Sequence, residues 1–412
     1  MTAPPSRPRT RGVVLDLVRA AGTISRVELA QGSGLTAATI THVVRELMVD
    51  GLLIEVGQGE STGGKRRTLI ELNSGSRYTV GVQLDRSTSS IVVVDLAGRP
   101  VIRSSIGGAG NRSPAATLEA IAAEVDSLLV RAGVDRGSVL GVGLVTHGPQ
   151  DRAAGVLLNP QPTPEWYGYP LVATLSKMLD LPVLLDNDAS AAAIGEYWVG
   201  GVDPASTHGC IYMAGGIGGG VVVEGELYRG GTSNPVEIGH ISLDAGGIEC
   251  SCGNRGCLEN FAGPLAVIQA ARAVPGLPDR IGLTEAAQDI LVDFDKVASA
   301  AIAGDADALA IIEHSARYLG IAALNFANLF DLDLVVLAGP TFGTAGPIYQ
   351  PIIHAALQRG AFNRPVRPVR AVLSASGADA AAVGGAVLVL RSELTPLQRL
   401  RPDGRSLTYQ HW

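Results

Sequence analysis

The chain has 412 residues, 46% of them apolar, and a formal net charge of −7, which leaves room for about two or three domains and excludes a uniformly basic nucleic-acid binder. No uninterrupted apolar run reaches about 18 residues, and no apolar signal core accompanies Arg7, Arg9 and Arg11, so a membrane span is excluded and a cytoplasmic location is expected. The charge is uneven: residues 1 to 77 hold ten Lys/Arg and seven Asp/Glu, about +3, against about −10 for the remainder, so one end is suited to meet phosphate.

Val13, Val14, Leu17 and Val18 recur at helical spacing and predict a first helix. Ser25 followed by Glu28 is a capping box, which starts a second helix because each side chain satisfies a backbone donor at the other's position. Gly32 and Gly34 interrupt, and a third helix from about Thr36 carries Ile40, Val43, Val44, Leu47 and Met48 on its buried stripe. Thr36, Thr41, His42 and Arg45 lie largely off that stripe, with Ala37 and Ala38 small enough for close approach to a surface. This matches a helix-turn-helix that docks in the major groove of double-stranded DNA; the alternative is a helical interaction domain with an ordinary wet face. Leu52 to Val56 and Arg67 to Leu72 are strand-like and enclose a loop, Gly57 to Arg66, which reads as a wing. Lys65, Arg66 and Arg67 at its base are placed to reach backbone phosphates.

From Tyr78 the pattern becomes α/β. Val80 to Leu84, Ile91 to Asp95, Leu140 to Val145 and Val183 to Leu185 read as strands, Ala115 to Leu129, Leu171 to Leu179 and Ala189 to Trp198 as helices, and Ile211 to Met213 begins a second set of strands. Asp188 and Gly339 fall at carboxyl ends of strands, where open α/β sheets bind ligands.

His240, Cys250, Cys252 and Cys257 have the composition of a structural Zn2+ site, and glycines at 253 and 256 permit the tight fold it needs. The alternative is a set of buried free cysteines, which is how the isolated Cys210 reads. Four cysteines, three of them spaced for metal, suit a reducing compartment better than a disulfide framework.

The run Glu237-Ile-Gly-His240 and Cys250-Ser-Cys252 through Gly256-Cys257-Leu-Glu259, with Asn187-Asp188 and the glycine run 215 to 220, resembles the ROK family, which joins repressors, uncharacterised frames and sugar kinases. The resemblance covers most of the chain. It implies an N-terminal winged helix-turn-helix followed by an actin-like (ribonuclease H-like) two-lobed sugar-kinase-type fold. The expected divisions are 1–74 for the DNA-binding domain, 75–192 for a first lobe completed by a helix at about 379–395, and 193–378 for a second lobe with the zinc site. The resemblance also implies that Asn187, Asp188, Glu237, His240 and Glu259 contact sugar hydroxyls, with Asp188 in the place of the kinases' catalytic base.

Departures from the kinase pattern fall on the nucleotide side. Asp85-Arg-Ser-Thr-Ser-Ser90 stands where the family's kinases have Asp-x-Gly-Gly-Thr-Lys, Ala214-Gly-Gly-Ile-Gly218 lacks the usual threonine, and Pro340 replaces a glycine after Gly339. Side chains obstruct the approach of backbone amides to phosphates, so a vestigial base with little or no kinase activity is expected. Pro235-Val236 also replaces the usual Ala-Gly, and Lys65-Arg66 follows Gly63-Gly64 where Arg-Pro is usual. The reading is a sugar-responsive transcriptional regulator, a repressor, that binds operator DNA and a sugar or sugar-phosphate effector as a homodimer or homotetramer. An active hexose kinase with an appended DNA-binding domain is the alternative, and a protein-interaction adaptor a third.

Overall fold

The computed structural model describes residues 7–59, 67–160, 162–203, 206–283 and 289–394. Its N-terminal part comprises α1 (Arg7–Ala21), β1 (Thr23–Ser25), α2 (Arg26–Ser33), α3 (Ala37–Val49), β2 (Leu53–Gln58) and β3 (Thr68–Leu72). Ser25 caps α2 in the expected box, its amide donating to Glu28 Oε2 at 2.8 Å while its Oγ accepts from the Glu28 amide. Gly34, at φ +68°, ends α2 in the left-handed conformation that glycine adopts without Cβ strain. Thr36 then caps α3, its Oγ1 accepting from the Thr39 amide at 3.2 Å. Val14, Val18, Leu29, Ile40, Val44 and Leu47 are fully buried where the helices meet. The strands form an antiparallel sheet in the order β1-β3-β2, so the two wing strands have a short third partner that the sequence reading omits. Lys65 and Arg66 lie outside the described residues.

A five-stranded sheet follows, whose first four strands are β4 (Tyr78–Leu84), β5 (Thr88–Asp95), β6 (Pro100–Gly107) and, after α4 (Pro114–Ala132), β7 (Val139–Thr146). After the short pair β8 (Gln150–Asp151) and β9 (Val156–Leu157) come α5 (Leu171–Leu179), β10 (Val183–Asn187) and α6 (Asp188–Val199). The strand order is β10-β7-β4-β5-β6, with β4, β7 and β10 parallel. β6 is an edge strand with alternate residues exposed, which is why its weakly apolar sequence gives no strand signal.

The second sheet contains β11 (His208–Met213), β12 (Ile217–Val223), β13 (Glu226–Leu227), β14 (Leu334–Ala338) and β15 (Arg370–Leu373), ordered β13-β12-β11-β14-β15. The helices α7 (Glu259–Ala262), α8 (Pro264–Ala273), α9 (Leu277–Ile281), α10 (Ile290–Ile302), α11 (Ala306–Phe330) and α12 (Phe342–Gly360) contribute buried residues to its core, and α13 (Ala380–Leu394) closes the described chain. Among the described residues no helix is long and apolar enough to cross a membrane.

Helices α6 and α13 lie between the sheets at backbone contact distance. A Cβ on Gly384 of α13 would lie 1.8 Å from the Ala191 carbonyl oxygen of α6, and one on Gly143 of β7 would lie 2.0 Å from that of Gly385. Only glycine allows either approach. Helix α6 runs unbroken past residue 192, where the sequence reading divides the lobes; buried along nearly its whole length, it has no polar stripe to mark a division.

Candidate ligand and metal sites

Parallel pairing brings three strand ends together: Leu84 of β4 is opposite Thr146 of β7, which is opposite Asn187 of β10. The next residues, Asp85, His147 and Asp188, therefore follow the ends of adjacent strands, at the carboxyl edge where α/β sheets hold ligands. Asn187 caps α6, its Oδ1 accepting from the Ser190 amide at 2.9 Å. Asp188 is only 9% exposed and its Oδ1 accepts from the Ala189 amide at 2.8 Å. Burial pushes its carboxyl up to about 6; the His147 imidazole opposes this, and the Asp85 and Glu237 carboxylates add to it. His147 was not anticipated, although its position just beyond a predicted strand is a usable signal.

Glu237 is brought over this edge by a loop from the second sheet. Asn234 binds the backbone of Gln150 in both directions, Oδ1 accepting from its amide at 2.9 Å and Nδ2 donating to its carbonyl at 3.0 Å. Arg229 Nη1 reaches Asp186 at 2.8 Å, and Arg152 Nη2 reaches the same buried carboxylate at 3.1 Å. Burial alone would raise the Asp186 carboxyl, but the Arg229 and then the Arg152 guanidinium overcome it and hold it below its ordinary range. Val236 adopts φ +64°, a left-handed conformation that is unusual for a β-branched residue. The departure from Ala-Gly noted in the sequence thus places local strain beside Glu237.

Glu259, at the start of α7, turns one carboxylate oxygen onto the glycine turn: Oε1 accepts from the Ile217 amide at 2.7 Å, leaving Oε2 for a ligand. A Cβ on Gly216 would lie 2.4 Å from that Oε1. The Asp85–Ser90 turn is also closed on itself. Its Asp85, Arg86 and Ser87 carbonyls accept from Ala109, Gly110 and Gly108 amides at 2.8, 2.7 and 2.9 Å, and the Arg86 amide donates to the Asp85 carboxylate. At the third element, Gly339 has φ +111°, and a Cβ there would lie 2.4 Å from the Met213 carbonyl oxygen.

One donor atom from each of His240, Cys250, Cys252 and Cys257 lies within 4.8 Å of the others, so the four could hold a metal ion. His240 Nδ1 and Cys250 Sγ are 3.7 Å apart, and the Cys252 and Cys257 sulfurs 3.6 Å apart. The turn that gathers them needs its glycines: Gly256 has φ +62°, and a Cβ on it would lie 1.9 Å from the Asp244 carbonyl oxygen. Cys252 is exposed and Cys250 half-buried, unlike core thiols, whereas Cys210 is fully buried. Because Nδ1 faces the thiols, the other ring nitrogen of His240 is the one left for a ligand.

On the N-terminal part, Thr36, Ala37, Ala38, Thr41, His42 and Arg45 all lie exposed on one side of α3, and Arg67 is exposed at the base of the wing. Three of the six side chains are engaged locally, Thr36 Oγ1 with the Thr39 amide at 3.2 Å, Thr41 Oγ1 with the Ala37 carbonyl at 2.8 Å and His42 with Glu46 at 3.3 Å.

Comparison with known proteins gives a match to the ROK family over residues 79–392. A putative xylose repressor of Caldicellulosiruptor sp. (strain Rt8B.4) is 29% identical over 374 residues, covering 90% of this chain and 92% of the relative. A glucokinase of Halalkalibacterium halodurans is 31% identical over 327 residues, covering 77% of this chain and 96% of the relative. Among solved structures, a ROK family transcriptional regulator described as a homologue of the E. coli MLC protein superposes with a TM-score of 0.73 at 24% identity, covering 94% of this chain and 98% of the other.

Proposed function

Because the chain belongs to the ROK family, we propose that it is a sugar-responsive transcriptional repressor in which residues 1–74 bind operator DNA and a kinase-like body senses a sugar or sugar phosphate. The observation that carries this reading is a difference in coverage. The glucokinase is matched almost whole by 77% of this chain, whereas the repressor match takes in 90% of it. The family model begins at residue 79, so a match over 90% of the chain has to reach into the N-terminal segment, with its exposed α3 face and wing.

In this reading Thr36, Ala37, Ala38, Thr41, His42 and Arg45 face the major groove, and Lys65, Arg66 and Arg67 neutralise phosphates. Asn187, Asp188, Glu237, His240 and Glu259 receive sugar hydroxyls, Asp188 as a carboxylate acceptor. The body divides into a first lobe, 75–192 with the helix near 379–395, and a second, 193–378. The four residues would hold Zn2+, whose structural sites take thiolate and imidazole ligands, and the 3.6 Å between the Cys252 and Cys257 sulfurs is close to the about 3.8 Å expected of two thiolates on one such ion. With four protein ligands it supplies no open position and acts as a scaffold that fixes His240 and the start of α7. The chain acts as a homodimer or homotetramer, since paired recognition helices must reach half-sites about one helical turn apart.

Loss of phosphoryl transfer is supported by amides already taken at both turns: those of Asp85 and Arg86 donate to the Thr88 carbonyl and the Asp85 carboxylate, and that of Ile217 donates to Glu259. The competing reading, an active hexose kinase, is favoured by the raised Asp188 carboxyl, which suits a general base. The deciding experiment takes the full chain through two assays. A duplex selected by the protein from a random-sequence pool should bind with an affinity that falls steeply with salt and falls again with D-xylose or another panel sugar. Magnesium ATP with a hexose panel should show no turnover near ordinary kinase rates. No DNA affinity at low salt refutes the repressor reading, and brisk turnover establishes the kinase.

A further inference from the structure

Helix α6 has the ligand-side Asp188 in its first turn and Tyr197 and Trp198 in its last, about 15 Å away at the rise of an α-helix. At that far end the N-terminal part is seated. The Arg19 guanidinium of α1 is 4.4 Å from the Trp198 ring centre and 5.5 Å from that of Tyr197. Its Nη1 donates to the Trp198 carbonyl, one of the acceptors that a helix leaves unpaired at its C-terminus. Arg391 of α13 lies against the same rings at 5.8 and 5.9 Å and pairs with Glu226 at 2.7 Å. Around them, Val14, Leu15 and Val18 of α1 share one continuous buried cluster with Tyr197, Trp198 and Leu388.

The backbone approach of Gly384 to Ala191 makes α6 and α13 a rigid pair, so displacement at one end of α6 is carried to the other rather than absorbed within it. Trp198 Nε1 and Arg391 Nη1 are buried without a hydrogen-bond partner, and Arg19 Nε has only the Asp16 carboxylate, at the long distance of 3.8 Å. A contact that leaves buried donors unmet costs less to exchange for a second seating than one fully satisfied.

We propose that Arg19 clasping Tyr197 and Trp198 is the joint through which occupancy of the ligand site sets the position of the winged helix-turn-helix. The proposal rests on the repressor reading above. A ligand that binds differently to two positions of the α6–α13 pair shifts their populations, and the arginine stack carries that shift into α1. Arg19, Tyr197 and Trp198 are positioning residues, placed at the end of α6 opposite Asp188.

The test uses the full chain, with D-xylose, N-acetyl-D-glucosamine and D-glucose as probes and hydrogen exchange read on peptides from α1 and the end of α6. A probe that binds is expected to change exchange in α1 of the wild type. In Arg19→Ala that change disappears while the sugar Kd stays within about twofold. Arg19→Lys, which keeps the charge but loses the planar stack, restores part of it. In parallel, the sugar-induced change in affinity for the selected duplex, expected between about 5- and 150-fold in the wild type, shrinks towards one in Arg19→Ala. Sugar binding with unaltered α1 exchange, or a full wild-type response in Arg19→Ala, overturns the joint. An α1 response with no change in DNA affinity supports the joint and refutes the repressor reading instead.

Discussion

Lowering the pH through 6 should release the sugar from this protein. The ligand-binding form of Asp188 is the carboxylate, which accepts a hydroxyl proton, and its carboxyl is pushed up to about 6 by burial. With a single group titrating at about 6, affinity at pH 5 should be about tenfold below its plateau at pH 8 and half-maximal near pH 6. His147, which favours the carboxylate, and Asp85 and Glu237, which disfavour it, set where the transition falls. Calorimetric titration of a bound panel sugar at pH 5, 6, 7 and 8 measures this directly, with Asp188→Asn as the control that should be weak and nearly flat. Affinity constant over that range in the wild type refutes the assignment of Asp188 as an ionised acceptor. Stability carries the opposite sign: between about 3.9, the ordinary aspartate value, and about 6 the folded state binds more protons at this site. Its contribution to stability therefore declines as pH rises through that window and is constant above it.

Removing the carboxylate that Arg152 and Arg229 share should be costly: Asp186→Asn is expected to destabilise by about 3 to 5 kcal/mol in denaturant unfolding, because two half-buried guanidinium groups lose their fully buried counterion. Metal analysis should find one zinc per chain in the wild type and none in Cys252→Ser, whose Tm should be lower and not be restored by added zinc, whereas wild type stripped by a chelator should recover its Tm on adding zinc. Val236→Gly should change stability by less than about 1 kcal/mol, since relief of about 1 to 2 kcal/mol of left-handed strain offsets lost packing; a loss above about 2 kcal/mol on chemical denaturation argues against strain there. Arg45→Ala should weaken binding to the selected duplex while leaving sugar affinity unchanged, measured by fluorescence anisotropy and calorimetry.

Short-range chemistry was legible in the chain itself. The Ser25–Glu28 box, the Thr36 start of α3, its exposed and buried faces, and the glycines that fold Cys252 and Cys257 towards each other each depend on residues a few positions apart. Spacing alone therefore specifies them. The row Asp85, His147, Asp188 is different, because it exists only once β4, β7 and β10 are neighbours, and strand order is not written in any one strand. The same holds for the bond between Glu259 Oε1 and the Ile217 amide, which joins residues 42 positions apart. Arg229 reaches Asp186 across 43 residues, and Arg19 reaches Trp198 across 179. Periodicity and capping report what a segment buries, not what covers it. Which charge meets which ring or carboxylate was decided by the packing of two sheets about α6 and α13, where close backbone contacts leave little freedom for another arrangement.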